Sequence, residues 1–356
     1  MENSTSLFSS KFLMNKDSRV GIIQGDRVTL LKGMEHLAPL CFSQSNWPMH
    51  LWADTRVIDP DRINSRLIKK ISRIRQTDNL STLYANHGVS ITDSYWICGA
   101  QESISWDRVK PNSDKLFNLA LTGQGFNSCD FEIQKHITPE LTNVGSFDKA
   151  WKKSSNGWLF VKAGTPDQNL SEILVSRIGK LFGMDMLTYW PSDDKSCTVS
   201  KDFTKGVYCF EPMSYLVGDD EDYWRSYKIL SGFSQAIAQK YLDILVLDAI
   251  MVNPDRHTNN YGLLRDHCGN ICNLAPNYDN NLAFIATGLP ERLTTWMISD
   301  VVEFMRSCGI AYTLKPVSYQ DILHECQYVS QLFSQDPCIL ANLIWENYQV
   351  FIKKLQ

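Results

Sequence analysis

Apolar residues recur along the chain at two periods, and the change from one to the other divides it into three zones. In the first, up to about residue 105, residues 27–31 alternate as a strand and 46–48 read as a turn. Ile63, Leu67, Ile71 and Ile74 recur at helical spacing, which predicts a helix over 61–75 started by Pro60 and Asp61. A loop-like section, 99–114, leads into a second zone where 145–153 and 158–163 form a predicted β-hairpin, with Asn156 and Gly157 both at positive φ in its turn. Leu170, Leu174, Ile178, Leu181 and Phe182 then share a helical face, capped by Asn169 or Ser171, with Glu172 off that face in the first turn. Strands are predicted over 197–203 and around 207–210, before an acidic loop at 218–222. The third zone opens with a helix over about 234–251, so nearly apolar all round that it belongs in the middle of a helical lobe. It runs into a polar loop, 253–262, and a short hairpin around Gly269-Asn270 follows.

Composition narrows the class. The 356 residues are 44% hydrophobic and 21% charged, ordinary for about two globular domains, which excludes a fibrous or wholly disordered chain. Lys and Arg number 35 against 39 Asp and Glu, a formal charge of -4, so no global positive field favours nucleic acid. Ten scattered cysteines fit reduced thiols in the cytoplasm rather than a disulfide scaffold, and Cys268 with Cys272 lacks a second ligand pair for zinc. The N-terminus has no signal-like apolar core. Asp243 and Asp248 interrupt the most apolar stretch, so no membrane span is expected.

Two places carry candidate chemistry. Lys162 ends the apolar run 158–163, where a charge is awkward unless it meets an anion or a carboxylate. The loop after the buried helix holds Asp255 and Asn260, and Asp279 follows the short hairpin. One carboxylate can orient or deprotonate a hydroxyl, while an amide oxygen and a second carboxylate are hard ligands for Mg²⁺ on nucleotide phosphates.

These residues resemble a family. Asn253, Asp255, His257 and Asn260, followed by Pro276, Tyr278 and Asp279, match the Asn-x-Asp-x-His-x-x-Asn and Pro-x-Tyr-Asp segments of the HipA-like kinases. Segments 90–96 and 198–203 resemble an uncharacterised bacterial branch of that family, and the likeness runs from about 50 to 285. It implies an α+β, two-lobed, protein-kinase-like fold, with a β-rich N-lobe over 106–205, a helical C-lobe over 206–356 and an accessory region over 1–105. It implies ATP and Mg²⁺ as cofactors, bound between the lobes. Asp255 is then the catalytic base or hydroxyl-orienting acid, His257 a hydrogen-bonding support of the loop, and Asn260 and Asp279 the metal ligands. Lys162 would grip the phosphates with Glu172 as its helix partner, 142–149 with Gly145, Ser146 and Lys149 would cover them, and 198–203 with Ser200 and Asp202 would meet adenine. The chain departs from the pattern in the single glycine of its covering loop, Gly145, and in Asn259, where many relatives carry lysine.

The function implied is γ-phosphoryl transfer to a Ser or Thr hydroxyl of a protein, with Thr142 or Ser146 as autophosphorylation candidates. The resemblance also admits an antitoxin-like partner. Two other readings stand beside it. Asp255-Arg256-His257-x-x-Asn260 resembles the catalytic loop of phosphatidylinositol kinases, but those carry Asp-Phe-Gly where this chain has Asn277-Tyr278-Asp279-Asn280, and no basic cluster faces a membrane. A kinase-shaped scaffold is the third, though a scaffold has no need of Lys162, Asp255, Asn260 and Asp279 together.

Overall fold

A computed structural model describes residues 10–62, 64–72, 74, 78–125, 137–288 and 291–356, with the side chains of the last span described from residue 295. The chain divides into two compact units. The first takes the described residues of Met1–Lys162 with Thr204–Glu211 and Leu263–Cys272; the second takes Ala163–Phe203, Pro212–Gly262 and Asn273–Gln356.

In the first unit, β1 (Lys11–Asn15), β2 (Ser18–Gln24), β3 (Arg27–Leu30) and β4 (Tyr95–Gly99) form a sheet of order β3-β2-β1-β4. Its β1–β2 and β1–β4 pairs are antiparallel, and Leu13, Val20, Ile23, Trp96 and Ile97 are buried. The expected helix over 61–75 is shorter, Ser65–Ile71, and its buried apolar residue is Ile68, beside buried Ser65, while Leu67 stays 40% exposed. The delay has a local cause: Arg62 N–H closes a turn on the Asp59 carbonyl at 3.2 Å, and Arg62 itself is buried. Ile63, Arg73 and Arg75 lie outside the described residues.

The expected hairpin is present as β5 (Lys149–Ser154) and β6 (Gly157–Ala163), but 145–148 precede the strand as loop. Its tip also differs from expectation. Ser155 and Asn156 make the turn, and Gly157 alone takes positive φ, 110°, because a glycine at that position absorbs the twist at the start of the return strand. After β7 (Tyr189–Pro191) and β8 (Cys197–Lys201) of the second unit, segments 204–211 and 263–272 carry most of a small sheet of β9 (Cys209–Pro212), β10 (Gly262–Arg265) and β11 (Ile271–Leu274), in the order β11-β10-β9.

The second unit is mainly helical. The Gln235–Met251 helix is capped by the Ser234 hydroxyl and buried along most of its length, as an apolar surface without a polar face requires. Helices Pro166–Leu181, Tyr223–Phe233, Glu291–Ser307 and Pro337–Leu355 pack round it. Pro166–Leu181 begins earlier than expected, because Thr165 and Gln168 make a reciprocal capping box ahead of Pro166. Glu172 therefore falls in the second turn, and Asp167, not Glu172, is the first-turn acid that the helix dipole favours. The β7 (Tyr189–Pro191) and β8 (Cys197–Lys201) strands pair antiparallel beside this helix. Among the described residues, no helix is long and apolar enough to cross a membrane.

Candidate active site

The buried helix ends abruptly at its site-bearing end. Val252 takes φ 51°, costly for a β-branched residue by about 1–3 kcal/mol, and this turns the chain from the apolar core into the polar loop. The loop is then held by bonds to the Asp255 backbone from its own neighbours. Asp255 N–H donates to Asn253 Oδ1 at 3.2 Å, and its carbonyl accepts from His257 N–H at 2.9 Å and from Asn260 Nδ2 at 3.1 Å. With Nδ2 of Asn260 spent on the Asp255 carbonyl, the amide's Oδ1 is the atom of this side chain able to act as an acceptor or hard ligand. His257 Nδ1 accepts Asn259 N–H at 3.3 Å, so this ring acts as a brace within the turn.

Arg256 ties this loop to the segment bearing Asp279. Its Nη1 donates to the carbonyls of Asn260 at 2.9 Å and Tyr278 at 2.7 Å. Its Nη2 reaches Asn277 Oδ1 at 3.0 Å and Asn280 Oδ1 at 2.7 Å, and Nε and Nη2 fork onto the Asp248 carboxylate at 2.8 and 3.0 Å. The carboxylate beside it raises the proton affinity of this guanidinium against the opposing pull of burial. Tyr278 OH donates to the Asn259 carbonyl at 2.7 Å, a second tie between the same two segments.

Asp279 sits at φ 61°, a left-handed conformation that an aspartate tolerates better than most residues and that often marks a functional turn. Its N–H donates to Tyr189 OH at 3.3 Å, and the next N–H, of Asn280, donates to Glu172 Oε1 at 2.8 Å. Burial, then the charges of Glu172 and Asp279, push the Tyr189 phenol well up, so it stays neutral. Ser200, buried, lies opposite Tyr189 in the β7–β8 register, and the Phe203 ring stacks on Tyr278 with centroids 5.4 Å apart. Asp202, half-buried, lies between Lys201 and Phe203. Within the second unit, then, the segments carrying Glu172, Ser200, Asp255, His257, Asn260 and Asp279 are joined by hydrogen bonds. An amide oxygen and a carboxylate on two tied segments are a donor set suited to Mg²⁺.

Lys162, Lys149, Gly145 and Ser146 belong to the first unit. Lys162 stands directly opposite Lys149 in the β5–β6 register, both are buried, and Lys162 Nζ lies 4.9 Å from the centre of the Phe147 ring. Gly145 takes φ 103°, and Lys149 Nζ occupies the place a side chain at 145 would need. Ser146 is exposed, whereas Thr142 is buried with its hydroxyl donating to the carbonyls of Val89 at 2.6 Å and Pro139 at 3.1 Å. Of the two autophosphorylation candidates, only Ser146 presents an accessible hydroxyl.

Beneath this loop lies Glu140, fully buried, accepting Trp151 N–H at 2.8 Å and Asn143 Nδ2 at 3.1 Å. Burial outweighs those bonds and pushes its carboxyl up to about 7. A carboxyl raised on folding binds its proton more tightly in the folded chain. Its stabilising contribution is therefore complete below the unfolded value, near 4.5, and is lost as pH rises through about 7. Denaturant titrations at pH 5 and pH 8 should show the parent chain losing on the order of 3 kcal/mol that Glu140→Gln does not lose. Identical pH slopes in the two proteins would refute this origin.

Sequence reading missed Arg256, Asp248, Asn280 and Tyr189 as parts of the site. A signal existed for the first pair: Asp248 stands inside an otherwise apolar, buried helix, and a carboxylate there demands a counter-charge.

The α+β fold is HipA-like. No protein-family model matches the chain, and no curated protein matches it. Among solved structures it is similar to HipA in the complex of the Shewanella oneidensis MR-1 toxin–antitoxin system HipA, HipB and its operator DNA, at 11% identity and a TM-score of 0.56, covering 97% of this chain and 96% of that one. It is also similar to the Helicobacter pylori proinflammatory kinase CtkA, at 16% identity and a TM-score of 0.43, covering 59% of this chain and 90% of that one.

Proposed function

We propose that the protein is an ATP- and Mg²⁺-dependent protein kinase of HipA-like type, resident in the cytoplasm, that transfers the γ-phosphoryl group to Ser or Thr hydroxyls. The observation that carries this reading is the Arg256 guanidinium, one nitrogen of which bonds the carbonyls of Asn260 and Tyr278 at once and so locks the Asp255–Asn260 loop to the Asp279 turn. Asp255 accepts or orients the proton of the attacking hydroxyl, with His257 bracing the loop, and Asn260 Oδ1 and the Asp279 carboxylate are the residues that would hold Mg²⁺. When bound, the metal neutralises charge on the phosphates. Lys162 is the phosphate-gripping amine and Glu172 the positioning acid; Gly145, Ser146 and Lys149 belong to the covering loop, and Ser200 and Asp202 to the strand that meets adenine. In this reading residues 106–205 are the N-lobe, 206–356 the C-lobe and 1–105 an accessory region. The HipA neighbour was solved with HipB and operator DNA, which supports an antitoxin-like protein as a candidate partner.

Incubation with labelled ATP, Mg²⁺, a panel of proteins and inositol lipids tests the reading. Label on protein Ser or Thr supports it, label on lipid would transfer the protein to the lipid-kinase class, and no transfer from folded chain to any acceptor would favour a scaffold. Asp279→Ala is expected to weaken Mg²⁺·ATP binding by about tenfold or more in calorimetry. Unchanged affinity would remove Asp279 from the metal site.

A further inference from the structure

Both ends of the 143–149 loop in the first unit converge on one side chain from the accessory region. Arg62, 1% exposed, donates through Nη1 to the Asn143 carbonyl at 3.4 Å, and through Nη2 to the Lys149 carbonyl and to the Ala120 carbonyl at 2.9 Å. Asn143 Nδ2 bridges the same neck, donating to the Lys149 carbonyl at 3.3 Å and to Glu140. Only a planar fork reaches carbonyls on three segments at once; a lysine has no such geometry. The clasp is also incomplete. Arg62 Nε and Asp148 Oδ1 are both buried without a hydrogen-bond partner, and they stand 3.8 Å apart, an ion pair slightly too long to be a hydrogen bond. Leaving two such groups unsatisfied is costly, so a small inward movement of Asp148 is favoured as soon as something else draws the loop down.

We propose that Arg62 is a positioning residue that clasps the neck of the 143–149 loop, and that closure of the Arg62–Asp148 pair fixes the loop over a phosphate-bearing ligand. The ligand half of the proposal rests on the kinase reading above; the clasp itself does not. It gives the accessory region a physical task, since Arg62 holds in place the loop that carries Gly145, Ser146 and Lys149. Burial lowers the proton affinity of Arg62, and the charges of Glu140 and Asp148 oppose that loss, which keeps the clasp cationic.

The test uses the full chain, the variants Arg62→Lys and Asp148→Asn, and hydrogen exchange of the loop amides with and without Mg²⁺·ATP, alongside steady-state kinetics. Without nucleotide, Arg62→Lys should speed exchange of amides 143–149 by about tenfold while the amides of β1 to β4 keep their rates. Asp148→Asn should exchange like the parent without nucleotide, lack the added protection that the parent gains with it, and raise KM for ATP about five- to tenfold with kcat within about twofold. Loop exchange in folded Arg62→Lys equal to the parent's overturns the clasp. Parent-like protection and KM in Asp148→Asn overturn the closure, and this arm decides the matter if Arg62→Lys fails to fold. A parent chain that binds no ATP would instead defeat the kinase reading and the ligand half with it, while the exchange comparison still decides whether Arg62 holds the neck.

Discussion

Asp255→Ala is expected to lower phosphoryl transfer by about 10²- to 10⁴-fold while Mg²⁺·ATP binds with near-parent affinity. The separation of the two effects follows from how the loop is held. Asp255 contributes its backbone N–H and carbonyl to the turn, through Asn253 Oδ1, His257 N–H and Asn260 Nδ2, so truncating its side chain leaves those bonds in place. In the proposed kinase reading, what is lost is a carboxylate needed only while the hydroxyl proton is in flight. Single-turnover kinetics beside calorimetry measures both quantities. Transfer at the parent rate would remove Asp255 from the chemistry, and a parallel collapse of binding would make it a ligand of the nucleotide instead.

Arg256→Ala is expected to be the most damaging change to stability in the second unit, at about 3–5 kcal/mol, because it strands the buried Asp248 carboxylate without its counter-charge. The same substitution releases the carbonyls of Asn260 and Tyr278, so the Asp279 turn loses its register with the Asp255–Asn260 loop. Asp248→Asn combined with Arg256→Gln should be less destabilised than the sum of its single variants, since the double change removes both charges together. Denaturant unfolding of the four proteins closes this cycle. Strict additivity, or an Arg256→Ala chain within about 0.5 kcal/mol of the parent, would show that the network is ornamental to folding.

What could be read in advance follows from the range of the forces involved. The Gln235–Met251 helix was legible because burial on all sides leaves a continuous apolar signature within one segment. The β5–β6 hairpin and β3 were legible from alternation and turn residues within short segments, and a known motif's spacing singled out Asp255, Asn260 and Asp279, whose segments hydrogen bonds join. Boundaries set by a single side chain were not. Thr165 with Gln168 moved a helix start ahead of Leu170, and the turn at Arg62 delayed another, although none of the three belongs to the apolar repeat. The Arg256 cluster was illegible for a different reason. Its partners at 248, 260, 277, 278 and 280 approach through folding, and only the buried charge of Asp248 hinted that such a partner had to exist.

In the proposed kinase, Asn260 and Asp279 together seat a divalent cation on nucleotide phosphates. Titration of Mn²⁺ as a paramagnetic stand-in for Mg²⁺, followed by electron paramagnetic resonance with and without ATP, measures that seat directly. The account predicts Mn²⁺ bound in the presence of ATP and weakened by about tenfold or more in both Asn260→Ala and Asp279→Ala. Mn²⁺ and ATP binding that is identical in the parent chain and both variants would contradict it.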